Sequence, residues 1–185
     1  MQQILQERIL IFQRVLNEIP DVQYVGNPIL RKQTETVEID EGRKIGDRLG
    51  TLLIQYRQIA GIGRGLAAPQ IGLNKAVFVT YVEDELKTFI NPRILQRSPQ
   101  TNFYRELCLS CGIMAADVER PSWITMECLD TAGVLHNERF EGFLARLYQH
   151  EEAHLRGIVN IDEATVGGIE LATFDPLQEV LRESR

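Results

Sequence analysis

The segment "LYQHEEAHLRG", residues 147–157, constrains this chain more than any other stretch. It sets two of the three histidines four residues apart. On an α-helix, positions i and i+4 share a face, so His150 and His154 present both rings to one point. Glu151 stands beside that point and suits the task of holding and deprotonating a metal-activated water. Phe143, Leu147, His150 and His154 recur at helical spacing, so the histidines continue an apolar stripe and face inward. Glu152 is expected to point away into solvent. The plainer alternative is a pair of core histidines that happen to share a helix face. Either way, the fold has to enclose a helix over about 141–156.

The chain has 185 residues, enough for one domain with a substantial core. Its net charge of −6 argues against sequence-independent binding to nucleic acid or to an anionic membrane. No apolar run approaches the roughly 20 residues that span a bilayer. At the N-terminus, Ile4, Leu5, Ile9, Phe12, Val15, Leu16 and Ile19 alternate with Glu7, Arg8, Arg14 and Glu18. That pattern is an amphipathic helix, not the unbroken apolar stretch of a signal peptide. Its stripe needs cover, either from the domain or from a second copy in a homodimer. Three cysteines without an export signal fit a reducing, cytoplasmic setting.

No repeat or linker divides the chain. "NPIL" and "TETVEID" read as loop and short extended pieces. Residues 42–60 carry helical periodicity, and a glycine-dense loop, "GIGRGLAAPQIG", follows. "KAVFVTYV", "LKTFINPRI", "SWITMECLD" and "VLHNERF" read as strands, the last two joined as a hairpin by the turn "DTAG". His136 in that hairpin reads as exposed polar surface. "DPLQEVLRE" reads as a short C-terminal helix. Helices and strands do not alternate regularly. The expected class is therefore α+β, with antiparallel or mixed sheets around the central metal-binding helix and an added N-terminal helix.

Two histidines leave a metal short of ligands. "HEEAHLRGIVN" follows the metzincin pattern up to Gly157, but its last position is Asn160, a poor zinc ligand, and no Met-turn follows. Glu163 and Glu170 lie downstream and could complete a thermolysin-like set. Cys108, Cys111 and Cys128 lie upstream and are the remaining candidates. "ELCLSCG" has C-x-x-C spacing; with no second such pair, a four-cysteine zinc site is excluded. A thioredoxin-like pair would open a helix after a strand, a context this segment does not provide.

Three motifs, in order, resemble peptide deformylase. "GRGLAAPQ" (63–70) is similar to that family's G-x-G-L-A-A-P-Q, "ELCLS" (106–110) to its E-G-C-L-S, and "QHEEAHL" (149–155) to its Q-H-E-x-D-H-L. "VGNPILR", "FINPRI", "VERPSWI" and "EGFLAR" resemble further family segments, so the likeness covers about residues 22–162. It implies one domain with a catalytic core at 22–162, an extra helix at 1–21 and a tail at 163–185.

The resemblance also implies a divalent metal held by Cys108, His150 and His154. Iron(II) is the expected ion, with zinc or nickel as alternatives. Glu151 is then the general base, and the Gln70 amide and the Leu109 backbone N–H are the oxyanion donors. Gly63, Arg64, Gly65 and Leu107 are expected to line the substrate path. The implied reaction removes the formyl group from N-terminal formylmethionine of nascent peptides near the ribosome. Two rival readings remain: hydrolysis of another N-acyl amide, and a non-catalytic binding protein of the same fold.

Four positions depart from the family's pattern. Leu107 replaces a glycine, Ala153 an acid, and Arg64 a usual valine or isoleucine, while Cys111-Gly112 stands where an apolar residue and proline are usual. The missing acid belongs to the shell that orients ligands, where Glu106 and Arg120 are expected to pair. Arg64 would favour an acidic substrate or cap the site. Cys111 reads as a small buried residue, or as an oxidation partner for Cys108.

Overall fold

Apolar side chains spaced from Ile45 to Ile59 build the longest helix of the computed structural model, which describes residues 2–173. The helix expected over "DPLQEVLRE" lies outside the described residues. Elements are numbered in chain order. Helix α1 spans Gln2–Glu18, α2 Ile39–Ala60 and α3 Gly142–Leu155. The strands are β1 (Gly65–Ala67), β2 (Val77–Val82), β3 (Glu85–Arg97) and β4 (Thr101–Leu107), then β5 (Met114–Pro121), β6 (Trp123–Leu129), β7 (Leu135–Glu141) and β8 (Ala164–Leu171). The α+β class holds.

Five strands form one sheet in the order β1-β2-β3-β6-β7, and three form another in the order β4-β5-β8. Among the described residues every ladder is antiparallel, and the one parallel pairing is an isolated bridge between Glu35 and Lys75. Alternation along β2 serves both faces of the larger sheet. Val77 and Val79 pack with Leu49 and Leu53 of α2, whereas Phe78 joins Phe89, Met126 and Tyr148 on the α3 side. Gly42, Gly46 and Gly50 recur every fourth residue along α2. They let the helix press its backbone onto Ile90, Thr88 and Leu86 of β3, leaving no room for side chains there.

Helix α3 lies between the two sheets and is buried on nearly every side, not along one stripe. Gln149 donates to the Pro121 carbonyl at 2.9 Å, tying α3 to the end of β5. Glu152 is a correction to the solvent-facing expectation. It is 8% exposed, accepts from Arg156 at 2.9 Å and lies 3.8 Å from Arg97. Arg97 on neighbouring β3 and Arg156 one turn on give the carboxylate partners inside the protein. Past the helix, Gly157 has φ +78° and its Cα lies against the Arg31 backbone, so a side chain would be strained and also clash.

The glycine-dense loop is more ordered than a loop. Its second half is β1, followed by a 3-10 turn at Ala68–Ile71. The Arg64 carbonyl accepts from Tyr81 N–H at 2.8 Å, which seats β1 at the sheet edge.

At the N-terminus, α1 packs on α2 by burying Val15 and Ile19 with Ile59, and Phe12 meets the Tyr24 ring edge-on at 5.2 Å. Leu10 and Leu16 stay exposed. No described helix is long and apolar enough to cross a membrane.

Candidate metal centre

Cys108 follows the last residue of β4, and α3 carries His150 and His154 one turn apart. Their ligand atoms all lie within 4.8 Å of one another, and all three residues are buried. Cys108 Sγ lies 3.3 Å from His154 Nε2. Among the described residues this is the only cluster of three or more such side chains that fits one ion. The alternative third ligands sit elsewhere: Glu163 accepts from Arg120 at 2.9 Å, and Glu170 lies 3.2 Å from Arg105.

Of the two histidines, His150 is held from behind, whereas His154 Nδ1 has no hydrogen-bond partner among the described residues. His150 Nδ1 lies 2.8 Å from Glu106 Oε2, which leaves Nε2 for a metal and fixes the ring, as carboxylates behind metal histidines do. Burial alone would raise the Glu106 pKa. The bidentate grip of Arg120, at 2.6 and 2.8 Å, together with His150 outweighs it and holds the carboxyl far below the usual range. Burial likewise pushes His150 down, and the Glu106 contact reverses this to leave it raised. His154 has no such partner to counter burial and is pushed well down.

The expected Glu106–Arg120 pair is thus present, but it belongs to a larger network. Arg146 donates to Glu106 Oε1 at 2.7 Å, and Arg120 also reaches Glu163. Glu163 supplies an acid to Arg120, while Ala153, at the position where an acid was expected, is buried.

Cys111 is buried, as expected, and donates to Asn160 Oδ1 at 3.1 Å. Asn160, too weak a donor to serve as a zinc ligand, instead braces the site by donating to the Glu106 carbonyl at 3.1 Å. The Cys108 thiol is pushed well up, first by its hydrogen bond with Cys111 and then by burial.

Glu151 faces a cavity of about 280 Å³ beside the cluster. Its Oε2 is buried and has no hydrogen-bond partner among the described residues. Burial raises its pKa to about 7, the range a general base needs near neutral pH. A methyl group on Gly65 would overlap the Glu151 carboxylate, so the glycine is there to admit it.

Gln70 is locked: its Oε1 accepts from Ala67 N–H at 2.8 Å, and its Nε2 donates to Ser110 at 3.2 Å and to Cys108 Sγ at 3.6 Å. Leu109, Leu107, Gly63, Arg64 and Gly65 line the same cavity as Gln70, Cys108, His150 and Glu151. The donor set, a thiolate and two imidazoles on a prepared scaffold, fits a divalent transition metal.

The sequence profile of the polypeptide deformylase family matches residues 19–167. This chain belongs to that family. It is 36% identical over 143 residues to a peptide deformylase from Thermotoga maritima, covering 76% of this chain and 84% of the relative. A peptide deformylase from Pseudothermotoga lettingae is 34% identical over 170 residues, or 90% of this chain and 95% of the relative.

Among solved structures, the Thermotoga maritima peptide deformylase superposes with a TM-score of 0.70 at 34% identity. It covers 78% of this chain and 96% of that one. A Plasmodium falciparum peptide deformylase gives 0.72 at 30% identity, covering 80% and 86%.

Proposed function

We propose that this chain hydrolyses the N-formyl group from N-terminal formylmethionine of nascent peptides, releasing formate, in the cytoplasm beside the ribosome. The observation that carries the reading is Glu151, a buried base with an unpartnered oxygen, set beside a Cys/His/His cluster in a family of deformylases. Residues 22–162 form the catalytic core in this reading, with 1–21 an added segment. The resident ion is iron(II).

A divalent cation held by Cys108, His150 and His154 supplies Lewis acidity and brings the pKa of water toward neutrality. The chain's own groups do the rest. Glu151 takes a proton from the attacking water and returns it to the leaving nitrogen, so formate departs and a free amine remains. Gln70 Nε2 and the Leu109 N–H donate to the oxygen on which charge develops. Gln70 is preorganised for this by its bond to Ala67, and it exchanges Ser110 for the substrate oxygen. Glu106 keeps the His150 ring from rotating.

The test is formate release from formyl-Met peptides by anaerobically prepared protein of measured metal content. Glu151→Ala is expected to lower kcat by about 10²–10⁴-fold, with the metal retained. Silence of fully loaded native protein toward these peptides would overturn the reading.

A further inference from the structure

Helix α1 touches both ends of the turn that follows Cys108. Leu109–Cys111 form that turn, and Gly112 closes it by donating to the Leu109 carbonyl at 3.1 Å. At the far end Gly112 has φ +63°, and the Phe12 ring of α1 lies against it. A methyl group on Gly112 would stand 3.1 Å from that ring, so the ring rests directly on the backbone of the turn. At the near end the Leu109 side chain packs on the Val15, Ile19 and Ile59 cluster by which α1 docks on α2.

The chain leaving α1 extends this brace. Gln23 N–H donates to the Gln70 carbonyl at 2.8 Å, and Val25 N–H donates to the Ser110 carbonyl at 2.9 Å. Between those two anchors, Tyr24 meets the Phe12 ring edge-on at 5.2 Å and ties the stretch back to the helix. Ser110 also accepts from Gln70 Nε2 at 3.2 Å. The two donors assigned to the developing charge, Gln70 Nε2 and the Leu109 N–H, are thus both backed by residues 12–25.

Of the two donors, the backbone one depends more on outside support. Gln70 is locked by hydrogen bonds of its own side chain. A backbone N–H is aimed only by the dihedral angles of its turn, and this turn ends in glycine, the residue that restrains its own backbone least. A donor that must be ordered during the reaction gives up part of the benefit of preorganisation. We propose that Phe12 is a positioning residue: its ring fixes Gly112 and, through the turn, the aim of the Leu109 N–H. The inference rests on the deformylase reading. It gives α1, which precedes the family-matched stretch of 19–167, a share in the reaction.

The experiment uses the full, metal-loaded chain with formyl-Met-Ala amide, at a temperature where circular dichroism shows native protein and variants equally folded. In Phe12→Ala, kcat is expected to fall about tenfold with KM within about twofold, the mark of an interaction realised in the transition state. Phe12→Leu, which keeps a large apolar side chain over Gly112, should recover most of the loss. Leu10→Ala, on the exposed face of α1, should leave kcat unchanged. Hydrogen exchange gives a readout without turnover: amides of 109–112 should exchange about tenfold faster in Phe12→Ala while the β2–β3 ladder keeps its rate. Phe12→Val is read in the same way and keeps the test if the alanine variant does not fold.

A native kcat in Phe12→Ala would overturn the inference. So would a loss accompanied by equal quickening of exchange in both segments, which is what general destabilisation produces. Failure of the native protein to release formate overturns the deformylase reading instead. Exchange then decides alone: selective quickening at 109–112 keeps Phe12 as the residue that positions this turn, and an unchanged rate there removes it.

Discussion

Glu106 serves four contacts with two oxygens: Oε1 accepts from Arg120 and Arg146, while Oε2 accepts from Arg120 and faces His150. Glu106→Gln would leave Arg146 buried without its carboxylate and Arg120 with Glu163 alone, and would release the His150 ring. Metal affinity should fall about 10–100-fold, measured by competition with a chromogenic chelator; an unchanged affinity would deny Glu106 its orienting role. The chemical residues were legible because their spacing is local: a base and two rings within one helical turn, and a cysteine in a recognisable five-residue motif. The pairing of Arg146 with Glu106 and of Arg120 with Glu163 was not, because an ion pair between distant residues leaves no period in the sequence. Arg146 and Glu163 each look like an ordinary surface charge until the fold supplies a partner. Glu152 misled for the same reason, since Arg97, one of its partners, comes from a distant strand.

At the scale of elements, a strand that alternates strictly, such as β6, or one that is a continuous apolar run, such as β2, was readable, whereas β4, β5 and β8 were not. In β4 only Glu106 is buried, and β8 runs mostly exposed, so neither shows the contrast that pattern reading needs. The β6–β7 hairpin was legible from its turn, and the structure adds a pH-sensitive clasp. Asp130 Oδ1 accepts from Ala132 N–H and Val134 N–H at 2.8 and 2.9 Å, and Oδ2 lies 2.8 Å from His136 Nε2. The hydrogen bond with Asp130 raises the His136 pKa above its ordinary 6.5. A raised folded-state pKa means the stabilisation is fully present below about 6.5 and is lost as pH climbs through the folded value. Histidine NMR titration should therefore show a raised His136 pKa that drops back in Asp130→Asn. The melting difference between the two proteins should close as pH rises; a difference that persists at high pH would contradict this.

For the whole molecule, α1 precedes the family-matched stretch, and its amphipathic pattern announced a helix without saying what covered it. The cover is α2, through Val15 and Ile19, while Leu10 and Leu16 remain outside. Val15→Ala, at the one fully buried position of α1, should cost about 0.5–3 kcal/mol by urea denaturation, and a negligible loss would mean α1 is not part of the folded unit.

The division of the metal ligands has its own consequence. Cys108 hangs from the smaller sheet, the histidines belong to the helix between the sheets, and 46 positions of chain separate Cys108 from His154. A cation bound there acts as a rivet between layers that share no strand. Stripping it with a chelator should quicken amide exchange along β4 and β5 while the β2–β3 ladder keeps its pace. Loss of metal would then register as a change in the rhythm of one layer before any change in shape.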